Sequence, residues 1–148
     1  MAETLEGGCR CGRIRYRLAV EKLPNAYACH CLDCQTWSGS AFSLNMVLPE
    51  QQLEVAGQPD LYERTSQESG RTSFQRGCAV CFTRVFNTNS ARPGLVVIRA
   101  GTLDRSDDVD VVAHIWTRRM LHGIVIPDGV PHWPESAPPA EFVAALTR

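Results

Sequence analysis

Apolar and polar residues alternate along most of this chain, and helical spacing is confined to short stretches. From Cys9 to Leu18, apolar or thiol side chains alternate with arginine, a period of two that predicts a half-buried strand. Gly12 interrupts it and marks a bulge or tight bend beside two cysteines. Pro24-Asn25 reads as the turn into a short strand, Ala26-Tyr27-Ala28, and residues 35–39 as one or two helical turns stopped by Gly39. Further strands are expected at residues 41–48, closed by Pro49, and at residues 53–55 and 61–65, separated by Gly57-Gln58-Pro59-Asp60. Residues 71–76 and 82–86 read as strands on either side of Cys78-Ala79-Val80-Cys81, and residues 95–99 as the most apolar, central strand. Residues 111–116 form the last one. Prolines exclude a regular helix from residues 124–134, which are expected to wrap the surface and pack Trp133 down. Only residues 140–146 have sustained helical spacing. The pattern reads mainly as strands, with short helical turns.

Composition narrows the function classes. The 148 residues fit one domain spanning 1–148, with 44% hydrophobic and 21% charged residues, as in ordinary soluble proteins. A formal net charge of −1 gives no reason to expect nucleic acid or an anionic membrane as partner. Lys22 is the single lysine beside many arginines, a bias that a GC-rich genome explains as well as any carboxylate-binding role does. The first six residues are acidic and polar, with neither a basic nor an apolar leader region, so the expected compartment is the cytoplasm. No apolar run is long enough to span a bilayer. In a reducing compartment seven cysteines, an odd number, point to metal ligation before disulfides.

The cysteines fall into C-x-C (Cys9, Cys11), C-x-C-x-x-C (Cys29, Cys31, Cys34) and C-x-x-C (Cys78, Cys81). In an extended chain Cys29 and Cys31 share one face and His30 points away, and a helical start then brings Cys34 round to face the same point as Cys31. Three converging sulfurs make a metal site with one position open, the arrangement of catalytic zinc. A C-x-C pair alone is a weak signal, because buried thiols in a strand core are unremarkable. C-x-x-C also occurs in redox dithiols, but those sit at a helix N-terminus, and the sequence after Cys81 reads as β. The economical sorting is four plus three: Cys9, Cys11, Cys78 and Cys81 hold a closed structural zinc, and Cys29, Cys31 and Cys34 an open catalytic one. A competing sorting completes the second site with His30, or with a remote histidine such as His114, His122 or His132. Lone histidines are more often surface or core residues than ligands. The acidic run 106–110 lacks the spacing and glycine of a calcium loop.

Together these residues resemble the glutathione-dependent formaldehyde-activating enzyme family, which also includes centromere protein V. The resemblance runs from Gly7 to about Trp133. It is carried by Gly7, Cys9, Cys11, Gly12, Ile14 and Tyr16; by Cys29, His30, Cys31, Cys34 and Gly39; and by Cys78 and Cys81. Phe82 stands where the family usually has glycine, which predicts a slightly distorted turn at the last cysteine pair. The resemblance implies an all-β fold, mainly antiparallel sheets around zinc in a β-tent similar to that of Rab guanine-nucleotide-exchange zinc proteins. It implies one structural and one catalytic zinc, and a carbon–sulfur lyase or synthase that joins glutathione to formaldehyde as S-hydroxymethylglutathione. Arg10, Arg13, Arg76 and Arg84 are candidates to offset the negative charge of a zinc held by thiolates. An alternative reading is a non-catalytic zinc-binding β module for protein interaction; a weaker one is a redox or zinc-storage protein.

Overall fold

The computed structural model describes residues 3–148. Met1 and Ala2, the start of the stretch read as carrying no leader, lie outside them. The fold is mostly β, and the chain divides into two compact units, each assembled from two separate stretches: Met1–Pro24 with Val47–Asp108, and Asn25–Met46 with Val109–Arg148. No helix among the described residues is long and apolar enough to cross a membrane.

The first unit contains a three-stranded antiparallel sheet of β1 (Glu3–Gly8), β2 (Arg15–Val20) and β5 (Leu53–Ala56). Alternation places Tyr16, Leu18 and Val20 inward and Arg17 and Ala19 outward, with Leu5 opposite Leu18. Gly7 is required by close approach: a β-carbon there would lie 2.4 Å from the Tyr16 hydroxyl and the Thr102 carbonyl. The expected strand from Cys9 begins only at Arg15. Residues 9–14 instead form a tight loop in which Cys9 N–H donates to Ile14 O (2.9 Å) and Gly12 takes φ 82°. The alternation of residues 9–13 was a coincidence of cysteine spacing. β1 escaped notice because its polar residues hide a short apolar pattern.

The same unit holds the antiparallel run β6 (Asp60–Thr65), β7 (Thr72–Gly77), β8 (Arg84–Asn89) and β9 (Leu95–Arg99). Val85, Val96 and Ile98 are fully buried there. β8 starts two residues later than the alternation suggests, because Cys78–Thr83 is a turn: Cys78 N–H donates to Thr83 O and Phe82 N–H to Cys78 O.

In the second unit β3 (Ala26–Cys29) pairs in parallel with β10 (Val111–Ile115) and antiparallel with β4 (Ser43–Pro49) through Tyr27, Ala28 and Cys29. The parallel pair contrasts with the antiparallel pairs β1–β2, β2–β5 and β3–β4 and the run from β6 to β9. All four β3 residues are buried. Helix α1 (Leu32–Ser38) follows, ended by Gly39 in the left-handed conformation (φ 62°). The proline-rich stretch forms no helix; it runs beside β10, His114 N–H donating to Pro131 O and Trp133 N–H to His114 O (both 3.0 Å). Helix α2 (Pro139–Leu146) packs Phe142 edge-on against Tyr27 and Trp133.

Candidate metal centres

In the first unit the 9–14 loop and the 78–83 turn bring Cys9, Cys11, Cys78 and Cys81 together, their sulfurs all within 4.8 Å of one another. Cys9 Sγ lies 3.6 Å from Cys11 Sγ, which lies 3.7 Å from Cys78 Sγ. All seven cysteines are free thiols. Sulfurs about 2.3 Å from a tetrahedral ion stand about 3.8 Å apart, so this donor set fits zinc. The backbone already favours thiolates: Ile14 N–H donates to Cys9 Sγ (3.2 Å), and Arg10 N–H ties the loop to Thr83 Oγ1 (3.0 Å). Thr83, through its hydroxyl and its N–H, draws the Cys81 thiol down to about 5. Cys9 is also lowered, since the Ile14 N–H and neighbouring thiols outweigh its burial. The Arg13 backbone pulls Cys11 down, but burial and the three other thiols push it up to about 11. Crowded thiols thus share few charges unless a cation lies among them. Phe82 occupies the left-handed region at φ 62° and is 88% exposed. The turn closes with Phe82 in the conformation that glycine adopts most readily, so the backbone strain falls on Phe82.

In the second unit the end of β3, the cap of α1 and its first turn bring together Cys29, Cys31 and Cys34, again within 4.8 Å. Cys31 is extended (φ −63°, ψ 157°) and caps the helix: its sulfur accepts from Cys34 N–H at 3.4 Å. The extended-then-helical geometry expected from the spacing is what converges the sulfurs. Donating a hydrogen bond to Cys31, then one to Cys34, together with burial, raises the Cys29 thiol. The bond with Cys29 lowers Cys31, but Cys34 and burial carry it up to about 12. Among the described residues no histidine, aspartate or glutamate joins this cluster. His30 is fully buried and turned away: its Nε2 lies 2.9 Å from His114 Nδ1, with the rings stacked. Burial lowers the pKa of both, so the pair is neutral at pH 7. His122 and His132 are exposed and belong to neither cluster.

Two supporting residues, Gln35 and Trp116, were not singled out from the sequence, and a third, His114, was weighed there only as a possible ligand. Gln35 Nε2 donates to both His30 O and Arg119 O at 2.8 Å, tying the cysteine loop to the turn after β10. His114 holds His30; the alternation of its strand was the available signal. Trp116 is buried with a left-handed backbone (φ 59°), and the Arg118 guanidinium lies 5.4 Å from its ring centre. Arg10, Arg13, Arg76 and Arg84, the charge-offsetting candidates, all belong to the unit with the four-sulfur cluster. The unit with three sulfurs has its own cations, Arg118, Arg119 and Arg148.

Among solved structures, a crystal structure of a Rhodobacter sphaeroides protein from structural genomics is similar, with a TM-score of 0.53 at 16% identity, covering 86% of this chain and 99% of that one. At that identity the likeness speaks to the fold. Comparison with curated proteins finds no match. The sequence model of the glutathione-dependent formaldehyde-activating enzymes matches residues 4–119, a span that includes every cysteine of both clusters. The chain belongs to the glutathione-dependent formaldehyde-activating enzyme family.

Proposed function

We propose that this protein is a zinc-dependent carbon–sulfur lyase or synthase that joins glutathione to formaldehyde at the centre formed by Cys29, Cys31 and Cys34. The observation that carries this reading is the convergence of three sulfurs that no histidine, aspartate or glutamate among the described residues joins. Cys9, Cys11, Cys78 and Cys81 then hold a second, structural zinc. Zinc bound to three protein ligands supplies a Lewis-acidic centre with room for a thiol held as thiolate. The chain's own part is to fix the donors. Cys31 does so as a helix cap, Cys29 as a strand end locked between two neighbours, and Cys34 through the first turn of α1. His30, neutral and held by His114, keeps that loop packed without competing as a ligand. In the reaction the glutathione thiol loses its proton and its sulfur bonds to the carbonyl carbon. The carbonyl π pair moves to oxygen, which takes up a proton to give the hydroxymethyl group.

The test is Cys31→Ser, with zinc and adduct formation measured on the same preparation and the spontaneous reaction subtracted. The expected outcome is about two zinc ions per chain falling to about one, a folded protein, and loss of the rate above background. A variant that keeps full turnover would overturn the assignment. Wild-type protein with full zinc and no rate above background would favour the non-catalytic reading.

A further inference from the structure

β6 (Asp60–Thr65) ends its strand order beside β7, and among the described residues no strand lies along its other edge. All six of its residues are exposed, on both faces, with Leu61 at 47% and Tyr62 at 56%. Its ladder to β7 runs unbroken from Asp60 opposite Gly77 to Thr65 opposite Thr72. Exposed edges are commonly blunted by a proline, a bulge or a very short strand. β6 contains none of these, so its outer edge offers a regular row of backbone donors and acceptors.

The order of charges along β6 says what fits that row. When two copies of one strand pair antiparallel and extend one sheet, the two-fold axis stands perpendicular to the sheet, so each residue keeps its face. Side chains alternate between faces, and directly opposed residues share one. A residue can therefore face only itself or residues an even number of positions away. Two such registers overlap most of β6, one centred on Tyr62 and one on Glu63. Centred on Glu63, the pairing sets two carboxylates against each other on the axis, which is destabilising. Centred on Tyr62, it sets Asp60 opposite Arg64 of the second copy on each side of the axis, with Leu61 opposite Glu63 and Tyr62 opposite itself. No like charges are opposed there. On the β7 side, Asp60, Tyr62 and Arg64 stand opposite Gly77, Gln75 and Ser73, so no charge on β7 is directly opposed to either ion.

We propose that β6 is a self-complementary edge through which two copies of this chain pair antiparallel, with Tyr62 on the two-fold axis and Asp60 opposite Arg64 of the second copy. The contact closes on itself, because a two-fold interface uses the same patch on both copies and leaves neither β6 open. It goes beyond the chemistry proposed for the three-sulfur centre and does not depend on it.

The test is sedimentation velocity of the full-length chain over a range of concentrations, with wild type beside Asp60→Arg, Arg64→Asp and the double variant Asp60→Arg/Arg64→Asp. Wild type is expected to show a concentration-dependent equilibrium between monomer and dimer. Either single substitution opposes like charges twice in the dimer and is expected to weaken association about tenfold. The double variant exchanges the two signs and is expected to regain wild-type association, which a folding defect would not allow. Glu63→Gln is expected to change nothing, whereas a gain in association would point to the register centred on Glu63 and overturn this one. A monomer at every concentration, open-ended assembly, a dimer indifferent to both single substitutions, or a double variant that stays dissociated would each overturn the pairing. The wild-type measurement needs no variant to fold.

Discussion

Phe82 is a side chain that contributes to neither packing nor ligation. It is 88% exposed, and its left-handed φ of 62° costs about 1 kcal/mol for a residue with a β-carbon. The turn needs that conformation, because Phe82 N–H must reach Cys78 O at 2.8 Å to close it. Phe82→Gly is expected to raise stability by about 0.5–1 kcal/mol, the relief of strain less the added freedom of the unfolded glycine. The denaturant midpoint at constant zinc content would show it; a fall in midpoint would mean the ring has a partner. The sequence reading expected a slightly distorted turn there, and the structure puts Phe82 itself in the left-handed region. From sequence a missing glycine suggests a bent turn, whereas here the hydrogen bonds of Cys78 with Thr83 and Phe82 close the turn and one exposed residue takes the left-handed conformation.

At the scale of elements, β2 is anchored through Tyr16. Its buried hydroxyl meets Thr102 Oγ1 at 2.9 Å, beyond the end of β9. Burial is the main cause that pushes the Tyr16 phenol from 10.0 to about 12, so the folded state favours the neutral form. The stability this gives is complete below the unfolded value near pH 10 and is lost as pH rises toward about 12. The loss amounts to at most about 3 kcal/mol. Tyr16→Phe is expected to flatten the alkaline limb of the stability curve while costing about 1 kcal/mol at neutral pH for the lost hydrogen bond. Denaturant titrations at pH 7 and above pH 10 separate the two effects; parallel curves for wild type and variant would refute it. The elements themselves were uneven in legibility. β5, β6, β7 and β9 follow alternation or turn residues and were readable to within a residue or two, whereas β2 was read six residues too early. The 9–14 and 78–83 loops were read partly as strand, because ligand spacing in a loop imitates the strand period.

At the scale of the molecule, the four-sulfur cluster links two turns far apart in sequence within one unit. A structural zinc site contributes on the order of 10 kcal/mol, comparable with the whole stability of a small domain. Cys78→Ser is therefore expected to lose cooperative folding, seen as loss of the β signal in circular dichroism, whereas Cys31→Ser stays folded. A Cys78→Ser protein with wild-type stability would show that the cluster is not structural. The contrast between the variants separates a metal that holds the fold from one that serves chemistry.

Alternation and cysteine spacing alone determined the mostly-β class, the convergence of Cys29, Cys31 and Cys34, and the face of His30 that turns from the sulfurs; that Cys9 and Cys11 meet Cys78 and Cys81 was an economical sorting which the tertiary structure decided. The first three follow from periods fixed by covalent geometry over a few residues: two in a strand, one helical turn from Cys31 to Cys34. The tertiary structure decided which distant strands pair, that His30 meets His114, and that Gln35 joins the cysteine loop to Arg119. It also decided which arginines share a unit with which cluster. Such pairings depend on hydrogen-bond register and packing between segments tens of residues apart, and no local period encodes them.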